Sequence, residues 1–357
     1  MQPIYVTQSF LPPLEEYQSY LSQIWHNKLV TNRGPLVLEL EKKLKDYLTV
    51  NNIIITNNGT VPLQIALKLF GKQGEIITTP FSYVATSASI VWENCKPVYV
   101  DIHPEYFTID ELKIENAITE KTTAILATHV FGNPCNVEII ESIATKYNLK
   151  VIYDAAHAFG VNYKGQSLFN FGDVSTCSFH ATKLFHTGEG GALIFKESYL
   201  YEQFFYSHNF GHNGQLDFFG LGINGKISEL QSAMGLAVFN HLNEIVEKRK
   251  QVVQFYNQFL TNIQRVKIRE NTSWNYSYYP VVFETEERLL SIENLLNKNN
   301  IFPRRYFYPS LNTINYLKGQ TMPVSESVSK RILCLPLYVG LNQQQLELIV
   351  NLINSHN

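Results

Sequence analysis

The sequence predicts an α/β protein: a mostly parallel mixed sheet with helices on both faces, followed by a smaller α+β C-terminal domain. Three observations carry this prediction. Short β-branched runs alternate with longer amphipathic ones through the middle of the chain, the pattern of βαβ units. A chain of 357 residues exceeds a single core of ordinary size, so a large and a small domain are expected. Apolar residues are 45% and charged residues 17%, the balance of a globular protein with a sizeable core.

Strands are expected at 53–56, 75–78, 97–101, 123–127, 150–154, 173–179 and 192–195, where runs such as Ile53-Ile54-Ile55 and Val151-Ile152-Tyr153 suit a sheet buried on both faces. Helices are expected between them, among others over 62–70, with Pro62 in the first turn, and over 137–147. Ile227, Leu230, Met234, Val238, Leu242 and Ile245 repeat at spacings of three and four, which predicts one long helix opened by a Ser228/Gln231 capping box. The large domain is expected over 1–249 and the small one over 250–357, with a strand at 278–283, a helix over 287–298 and a final helix over 342–354. In such sheets ligands collect outside the carboxyl ends of the strands. Asp154 and Lys183 both fall at or just beyond strand ends.

With 29 basic against 31 acidic residues and no basic run, nucleic acid is not expected as the partner. Cys95, Cys135, Cys177 and Cys334 show no paired spacing, so they read as free thiols of a reducing compartment. No charged and apolar leader and no transmembrane run is visible, and a soluble cytoplasmic protein is expected.

Four segments carry chemistry. At Asn57-Asn58-Gly59-Thr60 a strand turns into a helix N-terminus, whose free N–H groups and about half a positive charge can seat a phosphate. An ordinary capped helix start has the same signature. Tyr83 follows the next strand and could stack on a flat ring, or be a core or surface tyrosine. Asp154-Ala155-Ala156-His157 ends a strand with a carboxylate able to hold a pyridine nitrogen protonated; His157 could touch the same ring or be a satisfied buried histidine. Ser178 precedes Lys183 by five residues in Ser-Phe-His-Ala-Thr-Lys, with Thr-Gly-Glu-Gly-Gly-Ala following over 187–192. A lysine amine can form a Schiff base with an aldehyde and then move a proton, so the lysine and aspartate together are what pyridoxal 5′-phosphate (PLP) requires. Ser178 can bond its phosphate. Glu189 reads equally as a turn carboxylate, and His180 with His186 lacks a third ligand, so no metal site is expected.

With these segments assembled, the chain resembles the DegT/DnrJ/EryC1/StrS family of PLP-dependent nucleotide-sugar aminotransferases, of fold type I. Thr31-Asn32-Arg33-Gly34-Pro35, His129-Val130-Phe131-Gly132-Asn133-Pro134, Ser228-Glu229-Leu230-Gln231 and Leu333-Cys334-Leu335-Pro336 extend the match along nearly the whole chain. The resemblance implies Lys183 as the Schiff-base lysine and Asp154 as the partner of the ring nitrogen. It implies Gly59, Thr60 and Ser178 at the phosphate, Tyr83 on one face of the ring and His157 on the other side or near its hydroxyl. Asn224 would reach the phosphate of a neighbouring subunit, which implies a homodimer with shared sites, although Gly225-Lys226 replaces the aromatic or serine and arginine of many relatives. Relatives with histidine at the Schiff-base position are dehydratases; Lys183 implies transamination from glutamate to a nucleotide-linked keto sugar. The expected product is dTDP-4-amino-4,6-dideoxyglucose, for a bacterial surface polysaccharide such as the O-antigen of lipopolysaccharide. Amination at C3 of a dTDP-3-keto-6-deoxyhexose, another PLP reaction, and a non-catalytic PLP-binding regulatory protein are the alternatives.

Overall fold

The computed structural model describes residues 2–355. Its large sheet has seven strands: β1 (Asn52–Thr56), β2 (Glu75–Thr78), β3 (Lys96–Tyr99), β4 (Thr122–Thr128), β5 (Lys150–Asp154), β6 (Val174–Ser178) and β7 (Gly191–Phe195). They lie in the order β1-β7-β6-β5-β4-β2-β3. Only β7 runs antiparallel to its neighbours, and the remaining pairs are parallel.

The helices in the order of the chain are α1 (Leu14–Asn27), α2 (Pro35–Leu48), α3 (Thr60–Phe70), α4 (Val84–Trp92), α5 (Val137–Tyr147), α6 (Tyr201–His208), α7 (Glu229–Phe239), α8 (Leu242–Phe259), α9 (Glu286–Lys298), α10 (Pro323–Arg331) and α11 (Gln343–Asn354). Side chains of a strand alternate between faces, and here both faces are covered. Ile53, Ile55, Val151 and Tyr153 enter one core with Leu40 and Leu44 of α2 and Ile140 of α5. Ile54 and Ile152 enter the other with Leu63 and Leu67 of α3 and Phe204 of α6.

The long helix expected from the 227–245 stripe is two helices. The chain turns at Asn240 and His241, and the His241 carbonyl accepts from Ile245 N to begin α8. Tertiary contacts fix the break: Glu16 of α1 accepts from Asn240 Nδ2 at 3.2 Å and meets His241 Nε2 at 3.0 Å. The Ser228/Gln231 capping box is present at the start of α7.

Beyond the large sheet, Tyr279–Val282 pairs antiparallel with Gln264–Arg265 and Ile332–Leu335. α8 crosses residue 250 without a break: Leu242 and Ile245 pack in the large core, Val252, Val253 and Tyr256 in the second. Ile4–Tyr5 pairs with Ile301–Phe302, so the N-terminal strand packs with the second core. No helix among the described residues is long and apolar enough to cross a membrane.

Candidate active site

The carboxyl ends of β4, β5 and β6 present Thr128, Asp154 and Ser178 to one cavity of about 270 Å³. Gly59, Thr60, Tyr83, His157 and Lys183 line the same cavity, so seven of the eight residues expected at a site come together. A larger groove of about 520 Å³ between α8 and α11, lined by Phe255, Phe259, Leu346 and Val350, holds none of them.

Asp154 is only 6% exposed. Its Oδ2 accepts from Thr86 Oγ1 at 2.6 Å and its Oδ1 from the Ala156 amide at 3.2 Å. Burial pushes the carboxyl above the ordinary carboxylate range, opposed by Thr86, the Ala156 amide and the charge of Lys183. Burial likewise pulls the Lys183 ammonium below its usual value, with Asp154 opposing. An amine more easily made neutral is a better nucleophile and proton acceptor. Lys183 Nζ is 3.3 Å from Tyr278 Oη and 5.7 Å from the centre of that ring.

The turn expected to seat a phosphate lies where β1 runs into α3. Asn58 Oδ1 accepts from the amides of Thr60 and Val61 at 2.8 and 2.9 Å, so these two N–H groups, expected to be free for a phosphate, are satisfied within the chain. A Cβ on Gly59 would lie 2.7 Å from Ser178 Cβ and 3.0 Å from Ser178 Cα, so only glycine lets this turn approach β6. Tyr83 is 54% exposed at the mouth, its ring 6.5 Å from Phe307. His157 is buried, and its Nδ1 accepts from the Phe131 amide at 3.1 Å, which fixes a neutral ring. Burial lowers its pKa well below the ordinary histidine value. The ring is nearly parallel to Phe307, 5.7 Å away.

Asn224 is the residue not brought in. It is exposed and outside the cavity lining, with Oδ1 accepting from Lys226 Nζ at 3.0 Å. Its loop runs beside the β1–α3 turn nonetheless, since the Gly225 carbonyl accepts from Asn57 N at 2.8 Å.

The cavity also takes in residues that the sequence did not mark. Tyr278 read as part of an apolar strand, and nothing in that pattern separates a site tyrosine from a core one. Arg304, its guanidinium 5.0 Å over the Tyr306 ring, lies on an irregular segment. Ser82 lines the cavity just ahead of α4, and Thr86, four residues on and outside the lining, reaches Asp154 from behind it. Tyr306, Phe307 and Tyr308 read from the sequence either as walls of a sugar pocket or as core: Tyr306 and Phe307 line the cavity, whereas Tyr308 does not and sits under the Arg305 guanidinium at 3.7 Å.

The sequence model of the DegT/DnrJ/EryC1/StrS aminotransferase family matches residues 14–354. The chain belongs to this family. A Shigella dysenteriae relative named dTDP-4-amino-4,6-dideoxy-D-glucose transaminase is 44% identical over 361 residues, covering 99% of this chain and 98% of its own. An Escherichia coli relative of the same name is 40% identical over 369 residues, covering 98% and 97%. The solved structure of DesI in the presence of its TDP-sugar product superposes with a TM-score of 0.94 at 26% identity, over 99% of this chain and 93% of that one. The protein is thus an aminotransferase of the fold type I, PLP-dependent class. Its residues fit that cofactor: an amine and a buried carboxylate face one cavity, and Gly59 and Ser178, which any Cβ at residue 59 would push apart, line it side by side.

Proposed function

We propose that this protein transfers the amino group of glutamate to dTDP-4-keto-6-deoxyglucose, giving dTDP-4-amino-4,6-dideoxyglucose for a cell-surface polysaccharide. The observation that carries the reading is the Lys183–Asp154 pair in one cavity, in a chain that aligns end to end with relatives named for that product.

When bound, PLP supplies an aldehyde for the amine and a ring that takes up electrons as a proton leaves the substrate carbon. Ser178 Oγ, Thr60 and the Gly59 turn would hold its phosphate, Asp154 would hold the proton on its ring nitrogen, and Tyr83 and His157 would contact the ring. Lys183, steered by Tyr278, removes and returns the proton at the substrate carbon. Arg304 takes an anionic group of the substrate, a glutamate carboxylate or the nucleotide diphosphate.

The working form is a cytoplasmic homodimer in which Asn224 serves the neighbouring site. Asn224 lies in a loop with Leu216, Phe218, Phe219 and Leu221 all exposed, an apolar surface that suits a partner. Sedimentation equilibrium is expected to give a particle of two chains, and a monomer would contradict this. The product decides the reading. NMR of the aminated sugar is expected to place nitrogen on C4, and nitrogen on C3 would overturn it.

A further inference from the structure

A chain of buried hydroxyls leads from the end of β4 to the Asp154 carboxylate. Thr128 Oγ1 donates to Ser82 Oγ at 3.1 Å, Ser82 Oγ lies 2.7 Å from Thr86 Oγ1, and Thr86 Oγ1 donates to Asp154 Oδ2 at 2.6 Å. None of the four residues is more than 6% exposed.

Counting hydrogens fixes the direction. An ionised carboxylate only accepts, so the single Thr86 hydrogen goes to Asp154. Ser82 must then donate to Thr86, and Thr128 to Ser82. Three O–H dipoles therefore run head to tail with their positive ends toward the carboxylate. Thr123 and Thr187 instead donate to main-chain carbonyls, Gly71 O at 2.8 Å and Glu189 O at 2.7 Å, and Thr119, which donates to the Glu75 carboxylate at 2.6 Å, has a backbone amide rather than a second hydroxyl behind it. The relay residues spend their hydrogens on one acid.

We propose that Thr86, backed by Ser82 and Thr128, is a positioning residue that orients Asp154 and keeps it ionised, so that the acid holds a proton on the cofactor ring rather than on itself. The inference rests on the PLP reading of the site. In a low-dielectric interior such dipoles strengthen one another and offset the desolvation of the charge. Of the other ionisable groups, Lys183 and Cys177 on β6 act on the carboxylate directly, and His157, Tyr278, Tyr83, His180, Glu189, Arg304 and Tyr306 line the same cavity. His157 and Tyr278 are neutral there and cannot replace the relay. Lys183 attracts the charge but does not orient it.

The full-length protein loaded with PLP labelled at the ring nitrogen tests the proposal by NMR. Wild type and Thr86→Ser are expected to give a pyridinium-type signal, and Thr86→Val a signal moved toward neutral pyridine. Ser82→Ala, one link further away, should move it less in the same direction. A pyridinium signal unchanged in Thr86→Val overturns the proposal. The cofactor-free protein gives an independent readout through labelled aspartate carboxyls, with Asp154 identified from Asp154→Asn. Its midpoint is expected to rise by about one to two pH units in Thr86→Val, the worth of one hydrogen bond to a charged acceptor. An unmoved midpoint overturns the relay. Failure of the wild type to bind PLP would instead defeat the proposed function, and the carboxyl titration would still decide the relay.

Discussion

Lys183 Nζ lies 3.3 Å from the phenolic oxygen of Tyr278, so a residue just ahead of the second sheet holds the amine at the carboxyl edge of the first. Tyr278 is buried, with its ring 4.6 Å from that of His157, and cannot move without disturbing the histidine. Tyr278→Phe keeps this packing and removes one bond. It is expected to lower kcat about tenfold, the value of a hydrogen bond to a charged group, with little change in melting temperature. An unaltered kcat would separate Tyr278 from the chemistry.

Lys183→Ala removes the nucleophile and the proton carrier together. Turnover is expected to fall by at least about 10²–10⁴-fold, while the aminated cofactor still binds through Asp154, Ser178 and Thr60. Asp154→Ala should also cripple turnover, because the ring loses the charge that keeps it electron-poor. Stopped-flow half-reactions with glutamate and equilibrium dialysis check both; near-normal activity in either variant contradicts its assigned role.

Gly59→Ala places a methyl 2.7 Å from Ser178 Cβ, where the neighbouring backbone of β6 leaves no room to retreat. Forcing the turn away from Ser178 is expected to cost about 1–3 kcal/mol of stability and to weaken PLP binding. Thermal melts and a PLP titration measure the two effects, and wild-type values in both would show that the approach is not a tight one.

Buried histidines make stability depend on pH. Burial lowers His129 to about 3 and His208 to about 4, from an ordinary value of 6.5. Below 6.5 the unfolded chain takes up protons that the native protein refuses, so stability falls with acidification by about 1.4 kcal/mol per pH unit for each histidine. Urea unfolding between pH 7 and pH 5 should show this loss, and His208→Gln should make it shallower. Stability independent of pH over that window would contradict the buried neutral rings.

The large sheet was legible because runs such as Ile53-Ile54-Ile55 bury both faces and leave no other reading. Asp154 and Lys183 were legible because their chemistry is narrow and each follows a strand. The single long helix expected over 227–245 failed on a tertiary cause: Glu16, more than two hundred residues away, ties down the turn at Asn240 and His241. α4 was missed because Val-Ala-Thr-Ser-Ala-Ser is rich in residues that favour caps and turns over helix interiors. Tyr278 and Arg304 were missed because their roles arise only when the C-terminal segments fold back over the sheet edge.

Absorbance of the purified protein, followed as glutamate and then dTDP-4-keto-6-deoxyglucose are added, tests the central claim most directly. A band near the visible edge is expected to collapse with glutamate and to return with the sugar. A protein that shows no such band even after PLP is added would contradict the assignment of Lys183. A band that collapses but does not return would contradict the proposed acceptor.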